Sequence, residues 1–118
     1  MNNDFRFTAT TYNGIIVTCS NAQWENHVVS EHPDMADAEE GVVNALEDPH
    51  VHGDSKTHAN RQVFVRKGVS PQHHHSLFTR VIVEVAGNTG ELITAFPTEN
   101  PTGGIDFDKG THAIRYKL

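Results

Sequence analysis

The chain lacks the features that mark membrane, secreted or disulfide-stabilised proteins. No apolar run among its 118 residues approaches the roughly 20 that cross a bilayer, and residues 1–4 lack the basic and apolar regions of a signal peptide. The only cysteine, Cys19, has no internal disulfide partner and lies in the apolar run 15–19, which indicates a small buried residue. We therefore expect no membrane association and a cytoplasmic location, where thiols stay reduced.

Several common catalytic signatures are also missing. The sequence has no P-loop, no Gly-x-Gly-x-x-Gly and no Gly-x-Ser-x-Gly, which disfavours P-loop nucleotide hydrolysis, dinucleotide binding and α/β-hydrolase chemistry. Cys19 lies in a predicted buried strand, so a cysteine nucleophile is not expected. Aromatic residues make up 8% of the chain and do not form the stacking motif of an RNA-recognition sheet. Any catalysis must therefore depend on other side chains.

Acidic residues outnumber basic ones, and the two kinds are separated along the chain. Nine Lys and Arg against 15 Asp and Glu give a formal net charge of −6, which disfavours generic nucleic-acid binding. Residues 34–48 include six acids and no Lys or Arg, whereas residues 61–80 include four basic residues and no acid. Two interpretations stay open: a solvated acidic helix with ordinary strand charges, or a local phosphate-binding surface on the basic stretch.

The first part of the sequence predicts a β-hairpin and a helix. Asn13-Gly14 separates two strand-like runs and favours a type I′ turn, because both turn residues need positive φ. Ser20 and Gln23 have the spacing of a capping box, so a helix should begin there. Pro33 disfavours helical geometry at the preceding residue, so this helix should end beside it.

A second helix is predicted over residues 34–48. Asp34 and Asp37 near its start suit the positive end of the helix dipole, and Asp48-Pro49 ends it. Its apolar residues recur at helical spacing, so we expect them to face the core. They are Met35, Ala38, Val42 and Leu46.

The second half of the sequence predicts three or four strands. Residues 63–65, 77–86 and 92–96 have strand composition, and a Gly-Asn-Thr-Gly turn joins the last two. Residues 112–118 alternate like a final edge strand. We therefore expect one α+β domain over residues 1–118, in which the N-terminal β-hairpin and two helices pack on an antiparallel sheet of three to four strands.

Nine histidines are many for a chain of this length. They include the pair His27 and His32, the loop histidines His50, His52 and His58, and the run His73 to His75. Spacing alone allows the first pair to be a boundary residue and a helix C-cap, or an acid/base pair. No matching cysteine and no His-x-x-x-His on a helix accompany the others, so we expect no metal site.

One stretch resembles a known nuclease family. Residues 24–35, Trp-Glu-Asn-His-Val-Val-Ser-Glu-His-Pro-Asp-Met, resemble the Trp/His…His-Pro-acid signature of phage-associated barnase–EndoU–colicin–RelE (BECR) nuclease domains. Glu31 stands where that family has a basic residue. Further pieces of the family pattern follow in order: residues 43–49 for the second helix and its Asp-Pro end, 63–67 for the basic strand, 80–85 and 90–96 for the hairpin ending in Thr-Ala-Phe, and 108–110 for the closing Lys-Gly.

The resemblance implies a BECR-like fold and a metal-independent endoribonuclease, a toxin or phage-type effector that needs no cofactor. Such enzymes cleave RNA by attack of the 2′-hydroxyl on the neighbouring phosphodiester. The resemblance implies that His27 and His32 are the acid and base, that Arg66 binds the scissile phosphate and that Thr94 orients it. The further substrate-binding candidates are Arg61, Lys67, Arg80, Thr98 and Lys109, with His112 as a weaker one.

The expected partners are an RNA substrate and, for a toxin, an antitoxin or immunity protein. An acidic partner would complement the basic residues 61–80. Two alternatives stay open. The net acidity and Glu31 favour a catalytically inactive BECR-fold module that binds RNA or protein, and the histidine clusters favour a His-rich metal-dependent protein.

Overall fold

The structure, a computed structural model, describes residues 5–68, 77–107 and 115–116, and describes Tyr116 by its backbone alone. The strands are β1 (Phe5–Thr10), β2 (Ile16–Ser20), β3 (Val51–Ser55), β4 (Arg61–Lys67), β5 (Phe78–Ala86), β6 (Thr89–Thr98), β7 (Ile105–Asp106) and β8 (Arg115–Tyr116). The helical segments are α1 (Asn21–Gln23), a π-helical continuation (Trp24–Val29), a 3₁₀ segment (Pro33–Asp37) and α2 (Glu39–Glu47). The predicted α+β class is confirmed.

The sheet is larger than predicted and mixed rather than antiparallel. Within the described residues it has eight strands in the order β1-β2-β6-β5-β4-β3-β7, and β8 pairs with β3 beside β7. The N-terminal hairpin belongs to this sheet, because β2 pairs with β6 in parallel. The remaining neighbours are antiparallel. The prediction of three to four strands was too low because it kept the hairpin of β1 and β2 apart from the sheet and left out β3 and β7.

The N-terminal hairpin is confirmed, but its turn is longer than predicted. β1 ends at Thr10 and β2 begins at Ile16, so five residues connect them. The Thr11 hydroxyl accepts a hydrogen bond from the Ile15 N–H at 2.9 Å, and the Thr11 carbonyl accepts one from the Gly14 N–H at 3.0 Å. Gly14 has φ +91, which only glycine adopts without strain. Tyr12 lies in this connection, beyond the end of β1.

The capping box forms as predicted, whereas the second helix is divided. The Ser20 hydroxyl accepts a hydrogen bond from the Gln23 N–H at 3.0 Å. The helix then widens into π geometry and ends before Pro33, where His32 has φ −137. The predicted helix over 34–48 is broken at Ala38, between the 3₁₀ segment and α2. Its predicted apolar stripe nevertheless lies in the core, with Met35, Ala38, Val42 and Leu46 all buried.

The sheet curves around α2, which packs against β1, β4 and β5. The main core lies between the helices and one face of the sheet, around Trp24 and Phe64, and a smaller apolar cluster lies on the other face around Ile105. β1 and β3 are far apart in the strand order, yet Tyr12 from the β1–β2 connection contacts His52 of β3. Curvature therefore brings the hairpin turn to the opposite end of the sheet.

Cys19 is buried in this core, as its sequence context predicts. Burial raises the pKa of its thiol to about 12. We expect iodoacetamide at pH 8 to modify the native protein about 10³-fold more slowly than the unfolded chain, because only the thiolate reacts. Labelling followed by intact-mass measurement checks this, with Cys19→Ala as the blank. Native protein that labels as fast as unfolded protein would contradict the burial.

Candidate active site

A buried histidine joins a surface tyrosine to a glutamine of the sheet. His52 is fully buried, and its Nδ1 lies 2.6 Å from the Tyr12 hydroxyl. Its Nε2 lies 2.7 Å from Gln62 Oε1. An amide oxygen only accepts hydrogen bonds, so Nε2 donates and, in the neutral ring, Nδ1 accepts the tyrosine proton. Tyr12, His52 and Gln62 therefore form a relay of two hydrogen bonds from the surface into the sheet.

The strand pairing fixes the imidazole of this relay. His52 and Phe64 are opposite each other on β3 and β4, so their side chains share the helix-covered face of the sheet. Their rings stack with centroids 4.2 Å apart and planes inclined by 12°. Gln62 lies two residues before Phe64 on β4 and therefore on the same face, where its amide oxygen accepts a hydrogen bond from Nε2 of the imidazole. The geometry is that of a proton acceptor oriented by a third group.

Tyr12 is the accessible end of the relay. It is 37% exposed, and the Arg115 guanidinium carbon lies 4.5 Å from the centre of its ring. Burial of the hydroxyl raises the pKa of Tyr12, and the charge of Arg115 offsets part of this rise. The hydroxyl is therefore protonated across the neutral range. It is a proton donor to His52 rather than a free phenolate.

Asp48 joins two arginines next to this tyrosine. Arg115 Nη2 donates to Asp48 Oδ1 at 2.7 Å, and Arg66 Nη1 donates to Asp48 Oδ2 at 3.2 Å and to the Asp48 carbonyl at 2.6 Å. The Asp48 side chain is 57% exposed. Two guanidinium groups around one accessible carboxylate make a site that also suits the oxygens of a phosphate. We call this group the Arg66–Asp48–Arg115 bridge.

The histidines predicted as acid and base lie at the edge of β6. The Thr94 hydroxyl donates a hydrogen bond to the carbonyl of His27 at 3.3 Å, and the His27 side chain is exposed. His32 stacks on Phe96, with ring centroids 5.2 Å apart. His27, His32 and Thr94 therefore all lie beside the C-terminal half of β6, and their catalytic roles stay a prediction.

Arg66 does not join that group. Arg66 of β4 is opposite Thr79 of β5, and Thr79 is opposite Pro97 of β6. β5 therefore lies between Arg66 and the histidines beside β6. Within the described residues, no hydrogen bond or ion pair links Arg66 to His27 or His32. The residues predicted to surround one phosphate thus form two clusters.

The other predicted substrate-binding residues are spread over the sheet. Arg61 pairs with Glu84 at 3.2 Å, at the end of β4 away from Arg66. The Lys67 backbone N–H donates to His50 Nδ1 at 3.1 Å. The Thr98 hydroxyl accepts the Asn100 N–H at 3.1 Å.

Arg80 is buried, and its guanidinium donates to the carbonyls of Asn100 and Gly103. Desolvation lowers the pKa of Arg80. Its contacts hold the loop after β6, which explains its burial without a substrate. Lys109 and His112 lie outside the described residues.

Neither a metal cluster nor a membrane span occurs in the part of the chain that the structure describes. No three His, Cys, Asp or Glu side chains there are grouped as metal ligands, and the run 73–75 lies outside it. No helix there is both long and apolar enough to cross a bilayer.

Comparisons with protein-family models, with curated proteins and with solved structures found no match to this chain. The resemblance to BECR nucleases therefore depends on the order of motifs in the sequence.

Five residues of the candidate site were not predicted as site residues from the sequence: Tyr12, Asp48, His52, Gln62 and Arg115. Residues 50–60 are polar and were interpreted as a loop, which concealed the position of His52 on a strand. The available signal was alternation, since Val51 and Gly53 face one side of β3 and His52 and Asp54 the other. Arg66, in contrast, was predicted as a phosphate-binding residue, and in the structure it pairs with the Asp48 carboxylate.

Proposed function

We propose that the protein is a metal-independent endoribonuclease whose active site is the Tyr12–His52–Gln62 relay beside the Arg66–Asp48–Arg115 bridge. One observation carries the proposal. The accessible Tyr12 hydroxyl donates a hydrogen bond to the buried imidazole of His52, which Gln62 orients. The Arg115 guanidinium, which shares the Asp48 carboxylate with Arg66, lies over the Tyr12 ring. Cleavage of RNA through its 2′-hydroxyl needs a base at that hydroxyl and cations around the phosphate. Both requirements are met within this group.

The bridge supplies the cations. Asp48 is more than half exposed, and an exposed ion pair contributes only about 0–1 kcal/mol, so a phosphodiester displaces it at little cost. Arg66 and Arg115 then bind the phosphate oxygens in place of the carboxylate. Negative charge that develops on the phosphorane is stabilised by both guanidinium groups.

The relay supplies the base. The 2′-hydroxyl gives its proton to the Tyr12 oxygen as Tyr12 passes its own proton to His52 Nδ1, and the 2′-oxygen bonds to phosphorus. Gln62 Oε1 stabilises the imidazolium that results, as an acceptor at Nε2. The bond from phosphorus to the 5′-oxygen breaks, and that oxygen takes a proton from solvent water, because β5 separates both helix histidines from the bridge. The products are a 2′,3′-cyclic phosphate and a 5′-hydroxyl.

Replacing both arginines tests this assignment. We expect wild-type protein to cleave single-stranded RNA in the presence of EDTA, and Arg66→Ala with Arg115→Ala to reduce kcat/KM by at least about 10²-fold, because two charge-assisted contacts to the phosphate are lost. Gel analysis of a labelled oligoribonucleotide measures the rate, and mass spectrometry identifies the cyclic phosphate. Arg61→Ala is the matched control, since Arg61 is on the same strand but pairs with Glu84.

Three results would count against the proposal. Cleavage that EDTA abolishes would indicate a metal-dependent protein. Cleavage that survives the double arginine replacement in a folded variant would place the active site elsewhere. RNA binding without cleavage by any preparation would identify a binding module, the alternative favoured by the net charge of −6 and by the carboxylate between the two arginines.

A toxin role is part of the proposal, because uncontrolled RNA cleavage stops growth. Arg66 and Arg115 are the cations that an acidic antitoxin or immunity protein would cover, since its carboxylates would take the position of Asp48.

A further inference from the structure

A pair of stacked rings lies beside the C-terminal half of β6, beyond its pairing with β2 and apart from the candidate active site. His32 stacks on Phe96 with 5.2 Å between centroids and 28° between planes. Arg80, the cross-strand neighbour of Phe96, places its guanidinium carbon 5.9 Å from the centre of the same ring. Phe96 therefore contacts a buried cation and a half-exposed imidazole. We call the two rings the His32–Phe96 stack.

The stack is held in place from both sides. Arg80 is 7% exposed and donates to the carbonyls of Asn100 and Gly103, so the cation beside Phe96 is fixed. The His32 N–H donates to the Val28 carbonyl at 2.8 Å, and the His32 carbonyl accepts the Met35 N–H at 2.9 Å. A ring fixed before binding loses little conformational freedom when a ligand stacks on it.

We propose that the His32–Phe96 stack is a subsite for one nucleobase of single-stranded RNA, which stacks on the exposed side of the His32 imidazole. The inference depends on the proposed function, which assigns sites for the phosphate and the 2′-hydroxyl, and adds a site for a base. Proteins that bind unpaired RNA stack its bases on aromatic side chains and histidine, and every base offers a π-face for this contact.

The stack and the Arg66–Asp48–Arg115 bridge lie on different faces of the sheet. Val65 is opposite Arg80, and Arg80 is opposite Phe96, so these three side chains share the face of the smaller apolar cluster, whereas Arg66, the next residue of β4, points to the helix-covered face. An RNA chain that contacts both groups must therefore pass around the end of the sheet. Exposed Glu31 precedes His32 and repels phosphate. The stack therefore accepts the uncharged base, while the backbone phosphates lie at the arginines.

This role differs from the acid/base role that the family resemblance implies for His32. A stacking residue can be replaced by another aromatic ring, whereas a proton-transfer residue cannot be replaced by phenylalanine. Stacking also adds affinity without neutralising a phosphate, so it does not contribute to the salt dependence of binding.

Fluorescence anisotropy with a short fluorescein-labelled single-stranded DNA probe tests the inference. The probe lacks the 2′-hydroxyl, so binding is measured whether or not the protein cleaves RNA. We expect His32→Ala to weaken binding about 5- to 100-fold, and His32→Phe and His32→Trp to restore it. The slope of log Kd against log salt should stay unchanged in His32→Ala and become shallower in Arg66→Ala. His58→Ala, in the exposed β3–β4 turn, is the matched control.

The outcomes separate this inference from the nuclease proposal. Equal affinity of His32→Ala and wild type, failure of His32→Phe to restore binding, or no binding of the probe would each overturn the base subsite. A probe with abasic sites should bind wild type and His32→Ala alike, and a difference there would refute stacking. If the His32 series behaves as expected while no variant cleaves RNA, the subsite is supported and the nuclease proposal fails.

Discussion

Tyr12→Phe is expected to lower kcat for RNA cleavage by about 10²- to 10⁴-fold, the usual contribution of a positioned acid or base. The change removes a single oxygen and keeps the ring that lies 4.5 Å from the Arg115 guanidinium carbon. His52 loses its path to the substrate, since it is fully buried and meets the surface through Tyr12. KM should change little, because the phosphate-binding arginines are untouched.

The matched control is Thr10→Val, which also removes one hydroxyl and lies two residues away on an exposed position of β1. Both variants should show the circular dichroism spectrum of the wild type. Single-turnover kinetics at saturating RNA separate kcat from binding. A Tyr12→Phe protein that is folded and retains full kcat would refute the relay.

A comparison of two substrates with different leaving groups shows whether the relay acts as the base at the 2′-hydroxyl or as the acid at the 5′-oxygen. A 3′-(4-nitrophenyl) phosphate ester needs no acid at its leaving oxygen, whereas the 5′-oxygen of RNA does. If Tyr12 and His52 act as the base, Tyr12→Phe slows both substrates by a similar factor. A loss confined to RNA would assign them to the acid instead.

The pH dependence follows from the direction of the Tyr12 pKa. Burial raises this pKa above its ordinary value of about 10, so the protonated hydroxyl that donates to His52 persists through the neutral range. Ionisation of the phenol therefore abolishes the activity that depends on Tyr12 only in solution more alkaline than that value. The Tyr12→Phe protein should lack this alkaline limb.

Local signals identified the elements that local contacts form. The capping box at Ser20, the hairpin of β5 and β6 and the buried stripe through Leu46 were all predicted from neighbours in sequence. Their determinants are hydrogen bonds and spacings within a few residues, which a sequence displays directly. The α+β class follows from the same elements.

β3 could not be predicted because its sequence resembles a loop. His52 and Asp54 are polar, but both are buried on the helix-covered face, where His52 bonds to Tyr12 and Gln62. Gly53 resembles a turn residue, yet a Cβ there would lie 2.5 Å from Ile105 Cγ2, so glycine is needed for the close approach of β7. Burial of polar groups depends on partners far away in sequence, which local composition does not reveal.

The candidate site was only partly predictable for the same reason. Forty residues separate Tyr12 from His52, and 67 separate Asp48 from Arg115. These contacts exist because the sheet curves and because β8 pairs with β3. Arg66 was predicted through the family resemblance, which includes the basic strand 63–67, a feature of the sequence itself. Its partners Asp48 and Arg115 were not predicted, because their contact depends on the order of strands in the sheet.

Phe64→Ala is expected to lower the free energy of unfolding by about 3–5 kcal/mol, the usual loss for a fully buried phenylalanine. Phe64 belongs to the main core and also stacks on His52, so both the apolar contacts and the ring stack are lost. Domains of this size are stable by only about 5–15 kcal/mol, so the variant should lose a substantial share of its stability. Urea denaturation followed by tryptophan fluorescence measures the change, since Trp24 is the only tryptophan.

Phe5→Ala and Phe64→Leu complete this test. Phe5 is 62% exposed, so its replacement should change the free energy of unfolding by no more than about 0.5 kcal/mol. Phe64→Leu keeps most of the apolar volume but removes the ring that holds the His52 imidazole at 4.2 Å. That variant should therefore fold and yet lose kcat, which would connect the packing of β3 on β4 with catalysis. Equal stability of Phe64→Ala and Phe5→Ala would show that Phe64 does not occupy the core position described for it.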